Sequence, residues 1–316
     1  MNGPYLPKAF EAKMKIVLKD DFGDFWKSCQ VKSPRTVRAN SFKISASELQ
    51  KIFTEHKIES QAHPAIPNVL TVKTPFVRIG LMDEHRRGLF VVQDVSSMIP
   101  PLVLNPKPGE AVLDMAAAPG MKTCEMAELM QNQGAIVALD SNRERLKGLR
   151  FNLNRIGIVN TLVVLGRAES FRPRFLFDKV LLDAPCSSEG VVRKRWDALK
   201  NWSQNLVLRK AELQKKLVLS AFDALKDGGE LVYSTCTFSP EENEEVIQFL
   251  LSKHSNAQIE KIEPIKNFIW HEGLESYGSK EFDSAMKNCV RVLPQDNDSE
   301  SFFVAKIKKN PWRKNP

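Results

Sequence analysis

Short apolar runs alternate with helical patterns between residues 110 and 235, and this alternation limits the possible folds more than any other feature. The apolar runs read as buried strands at Ala111–Asp114, Ile136–Asp140, Thr161–Leu165, Val180–Asp183 and Leu231–Ser234. The helical patterns between them include Cys124–Met130, Arg143–Arg155 and Leu206–Leu225, the last ending before the stop signal Gly228-Gly229. Strands that alternate with helices predict an α/β fold, a doubly wound parallel sheet with right-handed crossovers.

The segments that flank this pattern divide the chain into two predicted domains. Residues 1–108 are basic, rich in proline and β-prone in places, which predicts a small N-terminal α+β domain. Contact with RNA is favoured for this domain, although a structural extension over one sheet edge is also open. Residues 109–316 form the main domain, in which Cys289–Leu293 and Phe302–Ile307 predict an antiparallel hairpin on the sheet edge.

Composition limits the environment and the partners. The 316 residues carry a net charge of +8, which favours a polyanionic partner, and a basic tail includes Arg313 and Lys314. No apolar run is long enough for a membrane helix and residues 1–10 do not resemble a secretory signal, so we predict a cytoplasmic protein. The oligomeric state is open, with a monomer favoured. An odd number of cysteines without a C-x-x-C pair predicts reduced thiols and no metal site: Cys29, Cys124, Cys186, Cys236 and Cys289.

A loop of small residues, Met115–Thr123, follows the first strand of the main domain. Small side chains let the backbone approach a ligand, but neither the dinucleotide nor the phosphate-loop glycine pattern is present. Asp140 ends the next strand, where a carboxylate can accept hydrogen bonds from ribose hydroxyls or can cap a helix. Together the loop and Asp140 predict an adenosyl site. Gln93, Asp94 and Ser96 are equally open as lining of a cofactor cleft or as a helix cap.

Two thiols follow two different strands, Cys186 in Lys179–Ser188 and Cys236 in Glu230–Cys236. A thiolate that adds to C6 of cytosine makes C5 able to attack an electrophilic methyl group. A second group near the adduct then assists loss of the C5 proton and release of the thiol. Asp183 can hold the N3/N4 edge of the ring during the attack. The other three cysteines are predicted to be buried and inert.

These residues resemble those of the RNA (cytosine-5) methyltransferase family, specifically its RsmB–Sun group. The resemblance extends from about Arg35 to Lys306. It rests on these segments: Asp114–Thr123, Asp140, Asp183–Ser187, Ser234–Cys236 with Pro240–Asn243, and Arg291–Pro294 with Phe302–Ala305.

The resemblance implies a Rossmann-like class I methyltransferase that uses S-adenosyl-L-methionine to methylate C5 of a cytosine in tRNA or rRNA. It implies that Cys236 is the C6 nucleophile, that Cys186 releases the product, that Asp183 holds the base and that Lys122 lies nearby. The cofactor residues that it implies are Met115, Ala116, Ala117, Ala118, Pro119, Gly120, Met121, Lys122, Asp140, Asp183 and, more weakly, Arg145. DNA cytosine-5 enzymes instead place the nucleophile after proline, as in Pro185-Cys186.

Three positions depart from the family pattern. Met121 replaces a glycine and is expected to crowd the loop, Ser188 replaces a glycine after Cys-Ser, and Leu165 replaces an acid before Gly166-Arg167. The main alternative is a catalytically silent RNA-binding or assembly factor with the same fold. An amino-group methyltransferase would use an Asn/Asp-Pro-Pro-aromatic turn, and a nicotinamide oxidoreductase is disfavoured by the absent glycine fingerprint.

Basic residues suggest where RNA binds. The run Arg193-Lys194-Arg195-Trp196 follows the Cys186 turn, and cations beside an aromatic ring suit a phosphate backbone and an unstacked base. A solvated charge run with a core tryptophan is the alternative. Arg35 and Arg38 are further candidates for RNA contact. A cytosine that reaches a thiol in such a cleft must be flipped out of its helix or loop.

Overall fold

The computed structural model describes residues 5–311, so the predicted basic tail residues Arg313 and Lys314 lie outside the described part. Ten helices occur within it: Lys8–Leu18 (α1), Phe22–Cys29 (α2), Ala46–Glu55 (α3), Asp83–Arg86 (α4), Val95–Leu104 (α5), Met121–Leu129 (α6), Arg143–Ile156 (α7), Gln204–Asp223 (α8), Glu244–Lys253 (α9) and Pro294–Asn297 (α10). The strands are Arg35–Ala39 (β1), Ser60–Ala62 (β2), Val69–Val72 (β3), Phe90–Val92 (β4), Ala111–Asp114 (β5), Ala135–Asp140 (β6), Thr161–Leu165 (β7), Phe177–Asp183 (β8), Leu225–Thr235 (β9), Ala257–Glu260 (β10), His271–Glu272 (β11), Ser276–Tyr277 (β12), Lys280–Glu281 (β13), Val290–Val292 (β14) and Phe302–Lys309 (β15).

The main sheet confirms the predicted doubly wound α/β architecture. Its strands lie in the order β11-β14-β15-β9-β8-β5-β6-β7, and β10 pairs with β15. Strands β5 to β9 pair in parallel, so β5, β6, β8 and β9 end at one edge of the sheet, where open α/β sheets bind ligands.

Two details of the sheet differ from the prediction. The predicted hairpin strands do pair, but β15 lies inside the sheet, antiparallel to β9, rather than at its edge. Helix α8 ends at Asp223, and Gly228-Gly229 lie within β9 instead of forming the helix stop. The strand pairing of β9 with β8 and β15 therefore overrides the local glycine signal.

Helix α7 illustrates how the sequence forms the layer over the sheet. The side chain of Asn142 accepts hydrogen bonds from the backbone N–H groups of Glu144 and Arg145 and so caps the helix. Leucines on one face, including Leu149, pack into the core that α5, α6 and α7 form against the sheet. Gly157 then ends the helix in the left-handed region, with φ of 94°.

The N-terminal part contains an antiparallel sheet in the order β2-β3-β1-β4, with a separate apolar core that includes Phe53 and Phe90. Helices α1 and α2 do not belong to that core. Phe25 of α2 instead packs edge-on against Phe238 beside the main sheet, with ring centroids 4.9 Å apart. Helix α5 also packs against the main sheet. A division near residue 108 stays a prediction, because the two parts share these contacts.

Candidate active site

The two predicted thiols lie together at the edge of the main sheet. Strands β8 and β9 are parallel neighbours, with Asp183 opposite Ser234, so the turns that follow them leave the sheet side by side. These turns carry Cys186 and Cys236, whose Sγ atoms are 3.3 Å apart. Both cysteines are partly exposed, as a group that must reach a substrate has to be.

A partly buried ion pair lies beside the thiols. Lys122, at the start of α6, donates to Oδ2 of Asp183 over 2.7 Å, and the Ser234 hydroxyl donates to Oδ1 over 2.8 Å. Burial alone would lower the pKa of Lys122, but the nearby carboxylate raises it above its ordinary value, and the Cys236 sulfur also contributes. The side chain of Lys122 therefore stays charged close to the thiols.

Cys186 is held in its neutral form. The hydrogen bond with Cys236, then burial, raises the pKa of Cys186 well above its ordinary value. A neutral Cys186 can donate its S–H to the Cys236 sulfur.

The remaining three cysteines are buried, as predicted. Burial raises the pKa of Cys29 and of Cys124 to about 12, and that of Cys289 well above its usual range. None of them can supply a thiolate near pH 7.

Two fully buried acids, Glu189 and Glu242, support the turns that hold the thiols. Glu242 accepts a hydrogen bond from the backbone N–H of Ser187, directly after Cys186, over 2.9 Å. Glu189 accepts one from the hydroxyl of Thr237, directly after Cys236, over 2.6 Å. The hydroxyls of Ser187 and Thr237 are 2.9 Å apart. The residues after the two thiols are therefore tied to each other and to these acids.

The loop after β5 separates two cavities. One has a volume of 180 Å³ and is lined by loop residues together with Lys122 and Asp183. The other has a volume of 430 Å³ and is lined by Met115, Ala116 and residues after β6 and β7. The loop residues predicted to bind a cofactor thus line the cleft, on both sides: Met115, Ala116, Ala117, Ala118, Pro119, Gly120, Met121 and Lys122.

Asp140 lines the larger cavity and also anchors the loop. Its Oδ2 accepts a hydrogen bond from the Ala118 N–H over 3.1 Å, and its Oδ1 accepts one from the Asn142 N–H over 2.9 Å. Asn142, not Asp140, caps α7. A carboxylate has about four acceptor sites, so Asp140 can still accept from a ribose. Arg145 reaches the same cavity, 3.5 Å from Asp140, and donates to the carbonyl of Ala118.

The three departures from the family pattern have distinct structural outcomes. Met121 lines the smaller cavity, but it also packs against the main core, so part of its side chain leaves the loop. Leu165 is 53% exposed at the end of β7. Ser188 adopts a left-handed conformation with φ of 59°, a conformation that favours glycine.

Two acids of the site escaped the sequence analysis. Glu169 lines the larger cavity beside Asp140. Its position four residues after Leu165, at the end of a strand, is the sequence feature that could have indicated it. Glu189 is a buried acid that follows the Cys186 turn within three residues, yet a lone glutamate in a polar loop gives no sequence sign of burial.

The predicted RNA contacts divide into exposed and buried residues. Arg35, Lys194 and Arg195 are exposed beside the cleft. Arg38 and Arg193 are not available to RNA, because each is at most 5% exposed and bound within the protein. Arg38 pairs with Glu128 of α6 over 2.5 Å, and Arg193 binds the carbonyls of Pro294 and Ser299.

Asp94 serves both of the predicted roles, since it caps α5 and lines a cavity of the cleft. Asp94 caps α5, since its Oδ1 accepts from the N–H and the hydroxyl of Ser96. Gln93 and Asp94 also line the smaller cavity, whereas Ser96 is buried.

Two further properties concern residues 5–311 as a whole. No helix in this range is long and apolar enough to cross a membrane. The same range contains no group of three or more histidine, cysteine or acidic side chains arranged to hold a metal ion.

Family comparisons match nearly the whole chain. Residues 101–308 match the family described as 16S rRNA methyltransferase RsmB/F, and residues 6–95 match the N-terminal domain of 16S rRNA methyltransferase RsmF.

Individual relatives match equally broadly. A tRNA (cytosine(49)-C(5))-methyltransferase from Pyrococcus abyssi is 42% identical over 92% of this chain and 93% of its own. Ribosomal RNA small subunit methyltransferase F from Klebsiella pneumoniae is 38% identical over 98% of this chain, which spans 64% of that longer protein. A solved methyltransferase homologue from Pyrococcus horikoshii superposes with a TM-score of 0.82 at 33% identity, covering 96% of this chain and 95% of its own.

Proposed function

Because this chain belongs to the RsmB/F methyltransferase family, we propose that it transfers a methyl group from S-adenosylmethionine to C5 of a cytosine in RNA. One observation carries the proposal. Two thiols lie 3.3 Å apart beside a partly buried lysine–aspartate pair, at the strand ends where this fold binds its ligands. No simpler methyl transfer needs two adjacent cysteines.

Asp183 and Lys122 hold and polarise the base in this proposal. The Asp183 carboxylate accepts from the N4 amino group of cytosine and stabilises a proton on N3 as C6 is attacked. Lys122 orients Asp183 through their 2.7 Å contact, and Ser234 fixes the other carboxylate oxygen. The groups that stabilise the positive charge on the cytosine ring are therefore already in position.

Cys236 supplies the nucleophile. Its thiolate forms a bond to C6, and the C5–C6 electron pair becomes an enamine that attacks the methyl group. S-adenosylmethionine, when bound, supplies that methyl group as an electrophile. Cys186 retains its proton, which makes it the less suited of the two thiols to act as the nucleophile.

Cys186 assists the release of the product. After methylation the C5 proton must leave before the C6–S bond breaks and restores the aromatic ring. The Sγ atom of Cys186 lies within 3.3 Å of the sulfur that departs. It can give its proton to the departing Cys236 sulfur, and the Cys186 thiolate that results can take the proton from C5.

The cofactor fits the two cavities around the loop after β5. Asp140 has spare acceptor sites for ribose hydroxyls, and Glu169 offers a second carboxylate in the same cavity. Residues Met115–Met121 would hold the cofactor with their backbone, and Arg145 would hold the loop in place. Lys122 and Asp183 close the smaller cavity toward the thiols.

RNA would approach over the exposed cations Arg35, Lys194 and Arg195. The net charge of +8 suits a polyanion of this kind. Either tRNA or rRNA is compatible with the relatives, and both substrates agree with action in the cytoplasm. A monomer stays our prediction.

The test uses the full chain, total RNA and S-adenosylmethionine with a labelled methyl group, followed by nucleoside analysis and denaturing gels. Wild type is expected to yield 5-methylcytidine. Cys236→Ala should lose at least a thousandfold in rate, and Asp183→Asn about a hundredfold or more. Cys186→Ala should accumulate a covalent RNA adduct that survives denaturation.

Cys29→Ala is the matched control, because it removes a buried thiol that lines neither cavity beside the loop after β5. It should give 5-methylcytidine at nearly the wild-type rate and no adduct. Label on a nitrogen, or full activity of Cys236→Ala, would show that the mechanism is wrong. Absence of labelling on any RNA would instead favour a silent RNA-binding factor.

A further inference from the structure

A third cavity adjoins the cleft of the thiols. It has a volume of 410 Å³, within the range of ligand sites, and lies between the N-terminal sheet and the turn after Cys186. It shares five lining residues with the 180 Å³ cavity that contains Lys122 and Asp183. The shared residues are Val92, Gln93, Asp94, Lys194 and Glu300.

Cations surround the third cavity. Lys32, Arg35 and Lys194 are all exposed and line it. The ammonium of Lys32 lies 4.3 Å from the ring centroid of Trp196 and donates to the carbonyl of Lys194. An exposed cluster of three cations is suited to a phosphate group.

A buried carboxyl group lies inside this ring of cations. Glu300 is 5% exposed and lines both cavities, and its Oε1 accepts no hydrogen bond from any residue in the range 5–311. The nearest cation is the ammonium of Lys194 at 3.6 Å, on a side chain that is 65% exposed and can turn outward. Burial, then the charge of Asp94, raises the pKa of Glu300 to about 7. A buried carboxylate oxygen whose nearest cation lies at this distance on an exposed side chain requires an explanation, and a ligand that donates to it would provide one.

The wall of the cavity is fixed by Arg193. Its guanidinium binds the carbonyls of Val31, Pro294 and Ser299 and the carboxylate of Asp298. These bonds hold the segment with Lys194 against the segment with Glu300. The cavity is therefore preformed.

We propose that this cavity binds the nucleotide next to the target cytosine and selects guanosine at that position. The Glu300 carboxylate would accept hydrogen bonds from the guanine N1–H and N2–H groups. The cations Lys32, Arg35 and Lys194 would then bind the adjoining phosphate. This inference rests on the proposed function, since it assumes that RNA enters the cleft.

The choice of guanosine follows from hydrogen-bond chemistry. Above pH 7 the Glu300 carboxyl is mostly ionised. An ionised carboxylate only accepts, and guanine alone presents two adjacent donors on its Watson–Crick edge. Cytosine and adenine place an acceptor nitrogen beside their amino group, and uracil places a carbonyl on each side of N3–H. Those acceptors would face the carboxylate and repel it. One well-placed bidentate contact gives about a tenfold preference or more.

The test measures 5-methylcytidine yield on short RNAs in which the two neighbours of one cytosine are randomised. Wild type should prefer guanosine about tenfold at one of the two neighbours. Glu300→Gln keeps the side-chain volume but replaces one acceptor by a donor, so this preference should disappear while other contexts are still methylated. Retained activity on those contexts shows that the variant is folded.

Two control variants separate this reading from a general effect of charge. Glu55→Gln changes an exposed acid at the end of α3 that lines neither cavity, and it should keep the preference. Lys194→Met should lower the yield on all contexts alike, because a phosphate contact carries no sequence information. Equal yield on all neighbours in wild type, or an unchanged preference in Glu300→Gln, would overturn the inference.

Measurements of RNA binding distinguish failure of this inference from failure of the proposed function. If wild type methylates no RNA, the proposed function is wrong. Pentanucleotides with guanosine or adenosine beside a central cytosine then decide the inference through their dissociation constants. About tenfold tighter binding of the guanosine form, lost in Glu300→Gln, would support the cavity as a guanosine site. Equal binding would refute it.

Discussion

Ser188 shows how a single backbone conformation explains a departure from the family pattern. It follows the Cys186 turn with φ of 59° and ψ of 32°, in the left-handed region. A residue with a Cβ costs about 1–2 kcal/mol in this conformation, whereas glycine adopts it freely. The glycine usual at this position in the family is therefore a backbone requirement, which serine meets with strain.

We expect Ser188→Gly to stabilise the protein. Release of strain outweighs the extra backbone entropy of glycine, about 0.5–1 kcal/mol, so the net gain is roughly 0.5–1 kcal/mol. Urea unfolding measures this gain. Ser188→Ala is the control, because it removes the hydroxyl but keeps the strain. A Ser188→Gly protein no more stable than Ser188→Ala would contradict the argument.

The residues that sequence reasoning placed correctly and incorrectly differ in one physical respect. Asp183, Cys186 and Cys236 were predicted to meet because strand ends in a parallel sheet share one edge, which is a property of local pattern. Arg38 and Arg193 were misread because a cation on a β-prone run looks the same whether it faces water or a buried acid. Their partners, Glu128 and the segment 294–299, are far away in sequence. Burial of this kind depends on tertiary packing, which single-sequence patterns do not encode.

At the level of elements, strand β1 is joined to helix α6 by a buried ionic contact. The guanidinium of Arg38 pairs with Glu128 and lies 4.0 Å from Glu125, both on α6. Helix α6 starts at Met121 and carries Lys122 at its first turn. The N-terminal sheet thus holds the helix that places Lys122 against Asp183. The sequence indicated both elements but not this link between them.

Removal of Arg38 should therefore destabilise the protein strongly. Arg38→Met leaves two buried carboxyls without their cation, which costs about 3 kcal/mol or more. The loss should be smaller at pH 5 than at pH 8, because the acids can then bind protons. Urea unfolding at the two pH values measures both effects.

Arg35→Met is the matched control for that experiment. Arg35 lies on the same strand but is exposed, so its loss should change stability by less than about 0.5 kcal/mol. If the two variants lose equal stability, Arg38 does not form the buried link described here.

At the scale of the whole molecule, four buried acids with raised pKa values surround the cleft and the α6 contact. Burial is the largest cause for each of them, and each pKa is raised to about 7. The four are Asp114, Glu125, Glu242 and Glu300. The folded protein thus places buried carboxyl groups with raised pKa values around the proposed site, and shifted pKa values are common at functional sites.

These acids make stability fall as pH rises above about 5. Between their ordinary pKa values near 4 and their folded values near 7, the folded state holds more protons than the unfolded state, so the unfolding free energy decreases with pH. Each group contributes at most on the order of 4 kcal/mol over this range. His63 and His85, with lowered pKa values, act in the opposite direction through pH 6. We expect the four acids to dominate.

Urea unfolding of wild type at pH 5, 6, 7 and 8 should therefore give a free energy that declines by several kcal/mol. Glu125→Gln should flatten the decline, because an amide keeps the shape but binds no proton in this range. Glu48→Gln is the control, since the pKa of exposed Glu48 is lowered and the group stays ionised throughout. A free energy that rises between pH 5 and 8, or an equal slope in Glu125→Gln, would mean that these carboxyls are ionised in the folded protein.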